Sequence, residues 1–194
     1  ELLVVISIIA ILASLAIPAV AGALSRGQMT QTLSNMKQLH QIAYTMSMDA
    51  TTTGDTNIGW PGDMPSKTWA GWITNAVPGY LKTNDMAKLL SAPGITVPPT
   101  AILSSLTAGQ ANNGRAVVLY LVSGTNENTA VLFSSSNFTN SESGGDPLTN
   151  NNALPYGDKG FIVFRKGGDG SVLQARQVGS TFTNVIGEFA EVAD

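Results

Sequence analysis

The chain carries no charge over 23 consecutive residues near its start, at positions 2–24, and this apolar segment constrains the fold most. Thirteen of these residues are Leu, Ile or Val, and the polar side chains are those of Ser7 and Ser14. As a helix, the segment would be about 34 Å long, close to the thickness of the hydrocarbon core of a bilayer. A surface helix of a soluble domain keeps one polar face, so we expect the segment to lie in a membrane or in an equally water-free environment.

A cleaved secretory signal peptide is the first alternative for the apolar segment. The apolar core of such a signal is about 7–15 residues long. The run here is longer, and after Ser25, Arg26 and Gly27 it continues directly into a second helical pattern. The pattern therefore favours a permanent helix.

From Met29 onward the sequence has the pattern of an amphipathic helix. Apolar residues recur at steps of three and four, with polar residues between them, which gives the helix one apolar face. We predict a single helix from residue 2 to about residue 50, ended by residues 51–55. Its apolar face comprises Met29, Leu33, Met36, Leu39, His40, Ile42, Ala43, Met46 and Ala50.

Pro18 lies inside the apolar half of this predicted helix. An interior proline removes one backbone hydrogen bond and costs about 3 kcal/mol. The helix therefore needs surroundings that tolerate a bend or a local loss of helix at this position.

A glutamate that opens an apolar helix, with a proline 17 positions later, resembles the N-terminal segment of type IV pilins and of the related pseudopilins of type II secretion. The run ELLVVISIIAILASLAIP is similar to the helix of that family almost throughout, and SNMKQLHQIAYTMSMDA is similar to its continuation. The resemblance covers about residues 1–50 and is weak beyond them. In this family the mature chain starts four residues before the glutamate, with an N-methylated Phe, so we expect the present sequence to be trimmed at its start.

The resemblance implies a structural role without catalytic activity. Glu1 would pair with the N-terminal amine of a neighbouring subunit, because an ionisable group at the edge of an apolar span is costly unless it is paired. From its position alone, Glu1 could instead lie unpaired in the headgroup zone. Pro18 would let the helix bend or melt locally so that neighbours fit. Filament assembly is further assigned to four apolar side chains, those of Leu2, Ile8, Leu12 and Leu15.

The same resemblance implies partners and a location. The partners are other copies of the chain, the inner membrane before assembly, the prepilin peptidase, and the pilus or secretion assembly machinery. The chain would lie in the inner membrane first and in an extracellular filament at the cell surface afterwards. Exposing thirteen large aliphatic side chains to water would cost roughly 20–40 kcal/mol, so we expect no isolated soluble monomer with this segment ordered.

The rest of the chain predicts an α+β fold. Residues 1–24 and 25–50 form the two halves of the helix, 51–115 a connecting region, and 116–194 an antiparallel sheet with long loops. Strand signals occur at 116–122, 129–133, 161–165 and 172–178, and residues 185–192 predict a last strand or turn. We expect the amphipathic half of the helix to pack on a sheet of about four strands, as in type IV pilins.

Short helices are predicted within the connecting region. Ser66 is the candidate cap of a helix over residues 67–77, and Asn84 is that of a helix over residues 85–92. A third short helix is predicted over residues 100–106.

Composition excludes several classes of chemistry. The chain has no cysteine, which excludes disulfide scaffolds, thiol catalysis and Cys-ligated metals. It has a single histidine, which excludes a multi-histidine metal site. The net charge of −3 offers no electrostatic footprint for a nucleic acid. His40 lies in the apolar face with no carboxylate three or four positions away, which favours a packed, structural histidine over a catalytic one.

Three polar motifs have weak functional interpretations. Asp146, Asp158 and Asp169 could contribute to a calcium site, but their spacing matches no regular ligand loop, and we predict no metal or other cofactor. The run at 167–170, GGDG, is too short for a phosphate loop and predicts a tight hairpin turn. Residues 137–139 form an N-glycosylation triplet at Asn137.

Two other functions remain open at this point. A pseudopilin would build a periplasmic filament, and its major form usually has a smaller helix-to-sheet connection and a calcium-bearing loop. A membrane-anchored sugar- or peptide-binding module would use its N-terminal helix only as an anchor. A groove around the tryptophans with converging carboxylates would support the module, whereas burial of their rings would favour packing; they are Trp60, Trp69 and Trp72.

Overall fold

A computed structural model describes residues 2–77, 79–99, 115–139, 149–150, 155–157, 159–174, 190 and 193. Its dominant element is one helix, α1, Leu2–Thr53, which confirms the prediction of a single long helix. The helix runs three residues past its predicted end, and the hydroxyls of residues 51–53 donate to backbone carbonyls four positions earlier, at 2.7–2.9 Å. It ends where Gly54 adopts a φ of +73°, a left-handed conformation that glycine adopts without strain.

Two short helices follow in the connecting region, α2, Trp69–Ala76, and α3, Thr83–Leu89. Their existence is confirmed, but both predicted caps are wrong. Thr68, not Ser66, caps α2, since Thr68 is extended and its hydroxyl accepts a hydrogen bond from the Gly71 amide at 3.0 Å. Asn84 lies inside the first turn of α3, whose cap position is Lys82. The predicted helix over residues 100–106 lies outside the described residues.

The described strands form two antiparallel sheets. The strands are β1, Val117–Leu119; β2, Val131–Ser135; β3, Phe138–Thr139; β4, Thr149–Asn150; β5, Phe161–Arg165; and β6, Gly170–Leu173. A four-stranded sheet has the order β1-β2-β5-β6, and β3 pairs with β4 in a separate two-stranded sheet. The α+β class and the four-stranded antiparallel sheet are therefore confirmed. The strand or turn predicted at 185–192 falls mostly outside the described residues.

The strand boundaries differ from prediction: β1 covers only Val117–Leu119, β6 begins two residues early at Gly170, and β2 continues through two serines. Ser134 and Ser135 lie beyond the predicted strand at 129–133, but both are buried in β2. The Ser135 hydroxyl accepts a hydrogen bond from the Ile162 amide at 3.0 Å, and the Ser134 hydroxyl is hydrogen-bonded to that of Tyr120 at 3.0 Å. These bonds satisfy the hydroxyls inside the core, so the strand continues through them.

The second half of α1 packs on β5 and β6, as the amphipathic pattern predicts. Two glycines make this close approach possible. A Cβ atom on Gly160 would lie 2.8 Å from the Met29 sulfur, and one on Gly170 would lie 2.5 Å from Leu33 Cδ1. The helix therefore rests directly on the backbone of the sheet at these two points.

Replacing Gly170 with Ala should destabilise the fold by about 1–3 kcal/mol, because the added methyl group also meets the Phe164 ring and forces the core apart. The measurement is the free energy of unfolding in denaturant. Gly27→Ala is the matched control, since a Cβ atom at Gly27 meets nothing within 4 Å. That control should leave stability unchanged or raise it by up to about 1 kcal/mol. Equal effects of the two substitutions would contradict the packing account.

Candidate functional site

The apolar segment, residues 2–24, extends away from the rest of the described structure. All thirteen of its Leu, Ile and Val side chains are 52–80% exposed. In the described part of the chain, α1 is the one helix long and apolar enough to cross a membrane, and none of that stretch is buried. An unburied position distinguishes it from the core helix of a soluble domain. The segment is thus compatible with membrane anchoring.

The few polar groups of the apolar segment are satisfied locally. The hydroxyls of Ser7 and Ser14 donate to the carbonyls of Val4 and Ile11, at 2.7 and 2.8 Å. Two serines therefore add no unpaired side-chain donor to the surface of the helix, which makes the segment suited to a water-free environment.

Helix α1 continues through Pro18 without interruption. Proline has no N–H, so the carbonyl of Ser14, four positions earlier, lacks its helical partner. The predicted bend or melting at Pro18 is a property of the assembled state and stays a prediction.

The predicted assembly residues do not all share one face of α1. Ile8, Leu12 and Leu15 lie at steps of four and three and form one stripe along the helix. Pro18, three positions after Leu15, lies at the edge of this stripe, whereas Leu2 projects from another side. Because apolar side chains surround the helix, a stripe of three covers only part of the surface that needs a partner. Glu1 lies outside the described residues.

Three side-chain contacts anchor the second half of α1 to the globular part. The Thr32 hydroxyl is hydrogen-bonded to the Tyr156 hydroxyl at 2.5 Å. Further along, His40 Nε2 lies 2.7 Å from the Lys166 carbonyl oxygen. Near the end of the helix, Tyr80 donates to Asp49 Oδ2 at 2.7 Å. The anchors reach three separate loops, so the helix is held along its length.

Two of these anchors change the acidity of a tyrosine. Burial, followed by the hydrogen bond to Asp49, raises the pKa of Tyr80 to about 12. Burial also raises the pKa of Tyr156, against the opposing effect of its bond to Thr32. The raised pKa keeps each phenol protonated, and able to take part in its bond, to a higher pH than that of an unperturbed tyrosine. Sequence reasoning missed both anchors, although Thr32 lies on the apolar face, where a polar residue signals a partner.

His40 is packed among aromatic rings, as the sequence predicts. The ring centroid lies 5.2 Å from that of Phe164 and 6.0 Å from that of Trp60. The side chain is half-buried at the place where α1 meets the turn after β5.

All three tryptophans are buried, and one of them also borders a cavity. Trp69 and Trp72 are fully buried edge to face, with ring centroids 5.8 Å apart, so packing is confirmed for them. Trp60 borders a cavity of about 560 Å³ beside Tyr44. The one carboxylate among the described residues lining this cavity is that of Asp63, whose Oδ2 accepts a hydrogen bond from the Gly124 amide at 2.7 Å. The converging carboxylates expected of a sugar-binding groove are thus not found in the described lining.

The glycosylation triplet has a structural role. Asn137 is fully buried, and its side-chain nitrogen donates to the carbonyls of Gly157 and Gly160 at 2.8 and 2.7 Å. A glycan attached to that nitrogen would break both bonds, so the folded chain does not offer Asn137 for glycosylation.

The residues considered for calcium are not brought together in what the structure describes. Asp169 pairs with Arg165 across the hairpin turn, and Asp146 and Asp158 lie outside the described residues. Gly168 in that turn has a φ of +91°, which confirms the hairpin interpretation of 167–170. The described residues contain no cluster of acidic or histidine side chains that could hold a metal ion.

Comparison of the chain with family models, with curated proteins and with solved structures found no match. The assignment to a family therefore depends on the residues of the N-terminal helix and on the physical properties of the apolar segment.

Proposed function

We propose that the chain is a structural subunit of an extracellular type IV pilus-like filament that polymerises through residues 1–24. One observation carries the proposal: an apolar helix exposed on every side is attached to a globular part that has a core of its own. The described core residues all lie at Met29 or later, so the globular part does not need the segment for folding.

The apolar segment needs a partner because its side chains are costly to leave in water. Thirteen aliphatic side chains left in water would cost roughly 20–40 kcal/mol, several times the stability of a typical domain. A bilayer removes this cost before assembly, and contact with other copies of the segment removes it afterwards. A type IV pilin, which the helix resembles, lies first in a bilayer and then against copies of its own helix.

The geometry of the segment supports a filament over a closed dimer. A helix that is apolar all round can be fully covered only by several neighbours. Contacts made by different sides of one helix are heterologous, and such contacts produce open helical assemblies. Because α1 is anchored to the globule at Thr32, His40 and Asp49, the globular parts would lie around a bundle of apolar segments.

The two alternative functions fit the described residues less well. The connecting region contributes α2 and α3 to the core, and an elaborate connection favours a pilus subunit over a major pseudopilin. A sugar- or peptide-binding module would need an aromatic groove with converging carboxylates. Burial of Trp69 and Trp72, and the structural use of Asp63, argue against that module.

Replacing Glu1 with Ala tests the assembly mechanism. We expect at least about a tenfold loss of filaments with unchanged membrane insertion. Without the Glu1 carboxylate, the N-terminal amine of the neighbouring subunit would be unpaired, and an unpaired charge at the edge of an apolar span costs a few kcal/mol. The measurement is electron microscopy of fibres, with membrane-inserted subunits quantified separately. Asp55→Ala is the control, since Asp55 is an exposed acid on the globular part. Normal filaments from the Glu1 variant would refute the pairing role.

A further inference from the structure

A cavity of about 610 Å³ opens where α1 leaves the globular part. Its wall on the helix includes Arg26 and Met29, and its wall on the sheet side includes Lys159 and Val172. The cavity therefore lies between the helix, at the end of the apolar segment, and the part of the sheet where β5 begins and β6 ends.

The cavity is positively charged. Arg26 and Lys159 both line it, and none of the described residues around it is acidic. Within the described part of the chain, neither cation forms an ion pair or a side-chain hydrogen bond. The chain as a whole has a net charge of −3, so this positive character is local.

The cavity also has an apolar wall. Val172 is 39% exposed and is the only exposed large hydrophobic residue outside α1 among the described residues. On the helix side the lining includes Met29, which is 4% exposed and has its sulfur close to Gly160. Two cations that have no ion-pair partner among the described residues, beside an apolar surface, match a ligand that has an anionic group next to hydrocarbon.

The position of the cavity points to the same ligand. Arg26 follows the last residue of the apolar segment by two positions, and that segment, about 34 Å long, spans the hydrocarbon core of a bilayer. With the segment inserted, Arg26 would lie at the level of the lipid headgroups, where cations are attracted to anionic lipids.

We propose that the Arg26–Lys159 cavity binds the headgroup of an anionic glycerophospholipid in the leaflet next to the globular part. The lipid phosphate would lie between the two cations, and the glycerol and upper acyl chain would contact the exposed Val172. This inference rests on the membrane-inserted state of the proposed function. It assigns the cavity a role before assembly, in holding the globular part against the leaflet.

The test uses the full chain and the double variant R26Q/K159Q. Binding of phosphatidylglycerol and of phosphatidylcholine is titrated in detergent micelles and followed by native mass spectrometry. Each cation near an anionic surface raises the binding affinity about fivefold, so the double variant should bind phosphatidylglycerol about 25-fold more weakly. Both cations are exposed, so the variant should fold, which circular dichroism checks.

The matched control is K37Q/K67Q, which removes the same charge from two exposed lysines outside the cavity. It should bind phosphatidylglycerol as the unchanged chain does. Equal weakening in both double variants, or no preference for phosphatidylglycerol in the unchanged chain, would overturn the inference. Displacement of the lipid by equimolar inorganic phosphate would show a free-phosphate site and would also overturn it.

Flotation with phosphatidylcholine vesicles separates this inference from the proposed function. A chain that fails to float would contradict membrane insertion, and with it the proposed function. A chain that floats but lacks a preference for phosphatidylglycerol would overturn only the lipid site.

Discussion

Deletion of residues 1–24 should convert the chain into a soluble, folded monomer that no longer forms filaments. The truncation removes the roughly 20–40 kcal/mol of unfavourable hydration that drives the segment into lipid or into contact with its copies. It removes no described core residue, since the first of these is Met29. Size-exclusion chromatography and circular dichroism report the oligomeric state and the fold, and electron microscopy reports filaments.

A chimera is the control for this deletion. Residues 2–24 are replaced by an unrelated apolar helix of equal length, which restores the membrane anchor and changes the surface that copies of the segment would share. We expect the chimera to insert into membranes and to form no filaments. Polymerisation of the truncated chain would show that the contacts lie in the globular part, and the proposed mechanism would then fail.

The second large effect is expected from a charge placed inside the apolar segment. Leu12→Arg should reduce membrane insertion and filament yield by about 100-fold, because an arginine at the centre of a membrane helix costs about 2.5–3.5 kcal/mol. Insertion is measured by protease protection of the subunit, and filaments are counted by electron microscopy.

Met48→Arg is the matched control for this charge. Leu12 is 61% exposed and Met48 is 52% exposed on the same helix, so an isolated soluble chain would tolerate both arginines about equally. The proposed function expects a loss only at Leu12, since Met48 lies beyond the anchors of α1 at Thr32 and His40. Equal tolerance of both arginines would contradict a water-free environment for the segment.

Much of the fold could be predicted because the signals are local. The period of the apolar residues from Met29 to Met46 reports one buried helix face, and five of the nine predicted face positions are buried. The hairpin between β5 and β6 follows from two apolar runs around a glycine-rich turn. The predicted cap of α2 was wrong because Ser66 and Thr68 offer similar capping chemistry. That of α3 was wrong because this helix begins after Lys82, which makes no side-chain capping hydrogen bond.

One part of the candidate site could be predicted from the sequence and another part could not. The apolar segment is visible in the sequence alone, since its demand for a water-free environment belongs to its own side chains. The Arg26–Lys159 cavity was not predictable, because the fold brings together two charges from distant parts of the chain.

The sequence by itself determined the long helix, its division into an apolar and an amphipathic half, and the alternation of strands and turns. Hydrophobic periodicity and turn chemistry act over a few residues, so they can be read without a structure. Only the tertiary structure decided that Thr32 meets Tyr156, that Asn137 holds the Gly157–Gly160 loop, and that Gly170 lets the helix rest on the sheet. These contacts depend on how distant segments are placed in space, which no local pattern specifies.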